Sequence, residues 1–365
     1  MSVSITLGIP QVPHGKTYHP GGQLTAANGL VEFLTTRGIQ FEVLNTVATV
    51  FPPVPLWKKL LQSVGRICNA WNLAGGGRTC GFITFSGFGL SLYERCCIAL
   101  IYRIYRKPSV IFFRSSEILD RPVSSLKRKL LSLVLRIPFT VVTQGSLLAD
   151  ELRRLGCKNV EVIPNWLPVG YAITHLPKSY PTDGVVDFVF VGWLESMKGV
   201  PELLDAVAGL QRLTNYFRLT IVGNGSLEQE VRDSIVNRGL VNVVAPGWMD
   251  QAEVIGLLGR AHVFILPSHS EGFPNALLEA MANGLPVITT RVGAIADSVE
   301  QDINGLFVDI ADANGIAASM CRYIEEVDLI PSHSVEAIKK VNLLHKRDIN
   351  CGKLISLLNK SSNEY

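Results

Sequence analysis

No run of eighteen apolar residues occurs in this 365-residue chain; the nearest candidates are broken by charge, as Arg136 breaks "LLSLVLRIPFTVV". A membrane-spanning helix needs about twenty such residues, so none is expected. No charged-then-apolar leader opens the sequence, which predicts a chain that is not exported. The seven cysteines (68, 80, 96, 97, 157, 321 and 351) form no C-x-x-C pair and no spacing with histidine that would hold zinc. An odd count with no secretion signal fits reduced thiols in the cytoplasm. No nucleic-acid-binding motif is recognisable, and no internal repeat or low-complexity tract appears.

The composition present is that of a globular protein: 47% hydrophobic and 18% charged residues, with length enough for two sizeable cores. The net charge of +3 conceals an asymmetry. Residues 1–165 hold 19 of the 34 basic residues and only 8 of the 31 acidic ones. Opposite signs in the two halves suit two domains with different partners, or a drift of surface charge.

The second half has the clearer pattern. "VDFVFVG" (186–192), "FRLTIVG" (217–223), "VNVVAPG" (241–247), "HVFILPS" (262–268), "PVITT" (286–290) and "GLFVD" (305–309) read as six strands. Helical segments alternate with them, starting with "PELLDAVAGLQRL", where Pro201 suits a helix start. Ser226 with Gln229, and Asp250 with Glu253, have the spacing of capping boxes. The strands lack polar alternation, as expected of a parallel sheet buried on both faces. The first half repeats the theme with "VSITLGIP", "FEVLNTV", "CGFITFS", "SVIFF", "FTVVTQG" and "VEVIPN" as strands, and a helix ending at Gly38. Proline-rich sequence around Asn165–Pro181 reads as a linker. The expected fold class is α/β, with two Rossmann-like βα domains, 1–166 and 167–334, facing across a cleft. A helical segment, 335–365, would then pack back on the first domain. Ligands of open parallel sheets bind at the carboxyl ends of the strands, on loops and helix N-termini.

"SHSEGFPNALLEAMANG" (268–284) is the sharpest feature there. Glu271 lies in a loop and Glu279 two turns into a helix. A helix N-terminus presents unpaired N–H groups and a positive dipole end, which suit phosphate. A carboxylate on either side would contact polar groups at the two ends of a ligand that is anionic in the middle, such as a nucleotide-sugar. The same spacing also fits two solvated charges on a helix. In "GWLESMKG" (192–199), Lys198 can neutralise a diphosphate. "GNGS" (223–226) has two glycines but not the third that a dinucleotide fingerprint needs.

"FVFVGWLESMKGVPELLDA", "LTIVGNGSLEQEV", "VNVVAPGWMDQAEV", "LPSHSEGFPNALLEAMANGLPVITTRVGAIADSV" and "NGLFV" follow one another in an order and spacing that resembles the donor domain of the retaining glycosyltransferases of family 4, with the fold called GT-B. The resemblance is strong over 186–310, fair over "SLLADELRRLGCKNVEVIPN", and only in outline before that. It implies that Glu271 lies near the donor sugar and that Glu279 holds the ribose diol. Lys198 would bind the diphosphate and, with Glu271, be catalytic. Backbone N–H groups around Gly272, Phe273, Asn275, Ala276 and Leu277 would cap the phosphates; Pro274 has none to give. Gly21 and Gly22 would let the first domain approach the diphosphate. The loop of Trp248 and Met249 matches the base-contacting loop, though a strand-end turn with a buried Trp248 fits equally.

The implied activity is that of a hexosyltransferase with retention of configuration, using a UDP- or GDP-linked donor as co-substrate and no other cofactor. No Asp-x-Asp is present, the motif with which metal-using transferases hold a divalent ion, so no metal is expected. Trp193 stands where the family has an arginine, which removes one diphosphate cation; Arg114 or another first-domain cation is a candidate substitute. The family's cleft histidine is missing from "FSGFG" (85–89) and "FFRSS" (112–116), while His19 lies beside Gly21. Asn165–Trp166 replaces the usual Asn–Gly, which predicts a stiffer hinge. These departures also fit a catalytically weak nucleotide-sugar-binding subunit that partners another glycosyltransferase.

Two basic amphipathic stretches complete the reading. "LWKKLLQSVGRI" (56–67) gathers Leu56, Trp57, Leu60, Leu61, Val64 and Ile67 on one helical face, beside Lys58, Lys59 and Arg66. That suits an anionic membrane surface as well as a core helix. "SLKRKLLSLVLRIP" (125–138) reads as core. A peripheral enzyme on the inner face of the membrane, acting on a lipid-linked or oligosaccharide acceptor and not on nucleic acid, is the expectation that joins these features.

Overall fold

The structure, a computed structural model, describes residues 4–9, 22–46, 55–77, 79–87, 90–114, 129, 131–134 and 140–362. The chain divides into two units, 1–169 with 346–365, and 170–345. The boundary at 334/335 expected from the sequence is corrected to 345/346. One uninterrupted helix, Leu329–Leu344, runs through 334/335 and buries His333, Ser334, Ala337 and Val341, so its residues stay together in the second unit. The first boundary falls at 169/170, three residues beyond the expected one.

The first unit contains a six-stranded sheet in the order β2-β1-β3-β4-β5-β6. Its strands are β1 Ser4–Ile9, β2 Phe41–Asn45, β3 Thr79–Ser86, β4 Ser109–Phe113, β5 Thr140–Thr143 and β6 Val160–Val162. Every pairing is parallel. The described helices of this unit are α1 Gly22–Thr36, α2 Leu56–Gly75, α3 Leu90–Ile104, α4 Ser146–Arg154 and, from the chain end, α11 Arg347–Ser362. Cys351, Leu354, Leu357 and Leu358 of α11 join Leu30 and Leu34 of α1 and the inner residues of β1, β3 and β4 in one cluster. The Asn350 side-chain amide donates to the Pro164 carbonyl over 3.0 Å and pins the start of α11.

Trp166 is not at a hinge. It is 1% exposed and lies in this cluster, its ring 5.7 Å from Phe112 and 6.3 Å from Phe85. A side chain at Gly29 would meet its Nε1 at 2.6 Å. The large ring thus closes the first unit where a short Asn–Gly step would leave a gap. Of the second basic stretch, Leu131 is core and Leu133 is exposed; most of the rest lies outside the described residues.

The second unit has strands β7 Val186–Val191, β8 Phe217–Val222, β9 Val243–Gly247, β10 Val263–Leu266, β11 Val287–Thr290 and β12 Gly305–Val308, in the order β12-β11-β10-β7-β8-β9. They are parallel and joined by α5 Val200–Leu210, α6 Glu228–Asn237, α7 Gln251–Arg260, α8 Asn275–Ala282 and α9 Ala313–Glu325, with α10 Leu329–Leu344 after them. Central strands β10 and β11 are buried at every position, which explains their unbroken apolar runs. Asp250 and Glu253 do form the capping box that starts α7. Ser226 and Gln229 do not: α6 begins after Leu227, Ser226 is taken by Glu195, and Gln229 reaches Asp233 instead.

The strand order reverses between β7 and β10, which pair side by side with Val263 opposite Phe188 and Phe264 opposite Val189. That reversal opens the loops after these two strands toward the same point at the carboxyl edge.

The close fit of Trp166 generates one expectation. Trp166→Ala lowers the unfolding free energy of the first unit by about 3–5 kcal/mol. Denaturant titration followed by circular dichroism measures it; a loss under about 1 kcal/mol contradicts the placement.

Candidate functional site

The loop after β7 delivers Lys198 and the loop after β10 delivers Glu271. Their side chains meet, Lys198 Nζ to Glu271 Oε1, at 2.6 Å, with the lysine 23% and the glutamate 9% exposed. The Ser268 hydroxyl donates to the same Oε1 over 2.8 Å. An ion pair this far withdrawn from water is worth its desolvation only if both groups have further partners, from the protein or from a ligand.

Backbone contacts hold both loops. Lys198 ends a single 3-10 turn, Ser196–Lys198, followed by Gly199 at φ 71°. A Cβ on Gly199 would sit 2.2 Å from the Pro267 carbonyl oxygen, so only glycine lets the lysine loop lie against the Ser268 loop. The His269 N–H donates to the Met197 carbonyl at 2.9 Å, tying the two loops directly. On the other side Gly293, at φ 56°, would place a Cβ 2.0 Å from the Glu271 carbonyl oxygen. The Ala294 N–H donates to the Gly272 carbonyl at 2.8 Å, and the Thr290 hydroxyl bonds the Ser268 carbonyl. Glu271 is thus carried on a short bridge clamped from both flanks.

Trp193 stands half-exposed in the lysine loop. That loop is zipped to the one after β8. Leu194 N–H donates to the Asn224 carbonyl, and the Glu195 carboxylate accepts from the Ser226 N–H at 3.0 Å and hydroxyl at 2.6 Å. These contacts occupy the "GNGS" turn with loop packing. They hold the Glu195 carboxyl below its ordinary range, chiefly through the Ser226 hydroxyl.

Helix α8 starts at Asn275 with Pro274 at its N-cap and no side-chain cap. The N–H groups of Ala276 and Leu277 in its first turn are of the kind that an anion satisfies. Phe273 is buried and its ring stacks on His345 at 5.0 Å, which anchors the approach to the helix. Trp248 and Met249 follow β9 at the same sheet edge; Trp248 is exposed, not the buried turn residue that the sequence also allowed. Gly22, exposed, is the first residue of α1 in the first unit, while Gly21 and His19 lie outside the described residues. Arg114, also in the first unit, donates to Asn165 Oδ1 at 2.9 Å and lies over the Phe112 ring; burial pushes its pKa down.

Sequence reading missed Ser268, Thr290 and Tyr171. Ser268 and Thr290 lie at strand ends, where hydroxyls raise no motif. Tyr171 comes from the start of the unit and hydrogen-bonds the Glu279 carboxylate, a pairing that only the fold creates. Burial pushes the Glu279 carboxyl up to about 7, and the tyrosine bond offsets part of that rise. A carboxyl raised in this way favours the fold when protonated, and that contribution is lost as pH rises through about 7. Binding of a diol has the opposite sign, because two hydroxyl donors favour the ionised form.

Affinity for a diol-bearing ligand that does not itself titrate in this window should therefore rise by up to tenfold per pH unit below about 7 and level off above it. Tyr171→Phe removes the offsetting bond and moves the break to higher pH. Calorimetric titrations at several pH values test both; a break that stays put in the variant removes Tyr171 from the site.

The family model of glycosyl transferases group 1 matches residues 175–339. The chain is 33% identical over 149 residues to the amylovoran biosynthesis glycosyltransferase AmsK of Erwinia amylovora, covering 39% of this chain and 37% of that protein. It is 28% identical over 191 residues to glycogen synthase of Mycobacterium tuberculosis, covering 51% and 46%. The chain thus spans half or less of the length of these relatives. Among solved structures, Anabaena HepE in complex with UDP superposes with a TM-score of 0.72 at 16% identity, over 98% of this chain and all of that one. The chain therefore has the GT-B fold, and residues 175–339 of its second unit are similar to the group 1 glycosyl transferases.

Proposed function

We propose that the protein is a retaining glycosyltransferase of family 4. It moves a hexosyl group from a UDP- or GDP-linked sugar to a lipid-linked or glycan acceptor, in cell-surface polysaccharide or glycolipid assembly. The observation that carries this reading is the Lys198–Glu271 pair at the strand-order reversal, beside the N-terminus of α8. UDP in the HepE complex and the biosynthetic role named for AmsK support it.

In this reading the donor's diphosphate lies against the first turn of α8 and draws Lys198 from Glu271. The glutamate keeps the Ser268 hydroxyl and accepts from hydroxyls of the sugar, and Glu279 accepts from the ribose diol. As the glycosidic bond breaks, negative charge grows on the departing diphosphate. Lys198 and the fixed N–H dipoles of α8 stabilise it with little reorganisation, which is where most of such a rate gain arises. These positive groups take the part that a divalent ion plays elsewhere, so the reaction proceeds without a metal. Trp193 presents a flat, half-exposed ring in the lysine loop, suited to lie beside the donor. The site of action is the cytoplasmic face of the membrane, where nucleotide-sugars and a lipid-linked acceptor meet.

Transfer and donor hydrolysis by the purified chain, followed by mass spectrometry over a panel of nucleotide-sugars, test the activity. Glu271→Ala and Lys198→Ala should each cut turnover by about 10²-fold or more, the size of one lost charged transition-state contact. Glu279→Ala should chiefly weaken nucleotide binding. Binding of a nucleotide-sugar with no turnover on any acceptor would favour the non-catalytic partner subunit. Prolonged EDTA treatment should leave turnover unchanged; its abolition, with recovery on adding a divalent ion, would overturn the metal-free reading.

A further inference from the structure

His345 is the last residue of the second unit and ends α10, where its N–H donates to the Val341 carbonyl at 2.9 Å. Its side chain is fully buried. An imidazole is a demanding choice for such a place, because a buried ring nitrogen needs a hydrogen-bond partner that an apolar side chain of similar size would not. The ring meets that demand and makes a second contact besides. One face stacks on Phe273, with ring centroids 5.0 Å apart and planes 28° from parallel. One edge presents Nε2 to the Ser298 hydroxyl at 2.8 Å. A hydroxyl both donates and accepts, so this bond forms with either neutral tautomer.

The two contacts end on the two segments that meet at Glu271. Phe273 lies two residues beyond Glu271, on the strip that leads into α8. Ser298 ends the loop that clamps this strip. It follows the 3-10 turn Ile295–Asp297, its N–H donates to the Ile295 carbonyl at 2.9 Å, and its carbonyl accepts from the Asn304 side-chain amide at 2.9 Å. At the other end of the same turn are Ala294, whose N–H holds the Gly272 carbonyl, and Gly293, which lies against the Glu271 carbonyl. Ser298, Asn304 and His345 are all buried, so water does not compete for these bonds. One imidazole thus holds the strip 271–273 through Phe273 and the clamping loop through Ser298. Helix α8 has its own anchorage, in the buried Leu277, Leu278 and Met281.

We propose that His345 is a positioning residue for Glu271: it does not reach the ligand, but it sets the place of that carboxylate through Phe273 and Ser298. The consequence for turnover rests on the nucleotide-sugar reading of the site, whereas the mechanical part rests on the contacts alone. A misplacement of about 1 Å caused by a change far from the chemistry can cost about 10²-fold in rate. Nucleotide binding depends on the first turn of α8 and should be spared.

Hydrogen–deuterium exchange on the full chain, read by mass spectrometry, tests the mechanical part without any ligand. His345→Phe keeps a ring against Phe273 and loses the bond to Ser298; His345→Leu loses both contacts. In His345→Leu, segments 268–273 and 292–299 should exchange about tenfold faster or more, while β7 and β8 keep the wild-type rate. His345→Phe should loosen 292–299 and largely spare 268–273. Ser298→Ala should reproduce that pattern and add little to it in the double variant, because both changes remove the same bond. Being a smaller change, it keeps the test open if His345→Leu melts early. In the sugar-transfer assay, His345→Leu should lower kcat about tenfold or more and leave the Kd for UDP nearly unchanged. The proposal is overturned if both segments of His345→Leu exchange at the wild-type rate. It is equally overturned if the whole second unit speeds up together, as loss of a mere core residue would produce, or if kcat does not fall. A wild type that binds UDP and transfers no sugar counts against the proposed activity instead, and the exchange rates still decide the role of His345.

Discussion

The side-by-side parallel pairing of β7 with β10 is the constraint on which the second unit's chemistry depends. These strands are separated by two complete βα units in the chain, yet the reversal of strand order makes them neighbours. The connections that follow them run to opposite faces of the sheet, which leaves the crevice that such reversals create. The lysine arrives on one loop and the glutamate on the other, and the two form an ion pair. Any drift of either loop is opposed by backbone contacts through Gly199 and Gly293, where a side chain would collide with a carbonyl oxygen.

Charge in this region is held under tension. Lys198 and Glu271 are largely withdrawn from water, and Glu279 is so buried that its carboxyl is raised toward neutrality. Each carboxylate has a hydroxyl partner, Ser268 for Glu271 and Tyr171 for Glu279.

The first unit solves a different problem. It builds a parallel sheet of the same class but closes its core with one tryptophan ring and a helix returned from the chain end. Its helix α2 is locked inward by an arginine–glutamate–arginine network and left apolar outward. Buried ionic networks of this sort contribute orientation more than stability.

The strands of the described residues were legible in the sequence: the central ones, buried on both faces, leave unbroken apolar runs, and glycine and proline mark the loops between them. Lys198, Glu271 and the start of α8 could be named from loop composition and family likeness; that the lysine and the glutamate pair could not. Short-range signals were less dependable: the Asp250 cap formed and the Ser226 cap did not, because Glu195 on a neighbouring loop competed successfully for the serine. What the sequence determined by itself was the alternation of elements and the chemical types at the strand ends, since both follow from local pattern. Only the tertiary structure decided that Tyr171 reaches Glu279, that Trp166 is core, that Ile67 turns inward while Leu60 and Leu61 face out, and that α10 stays with the second unit. Each of those outcomes depends on which distant surface arrives to cover a side chain, and no local pattern carries that information.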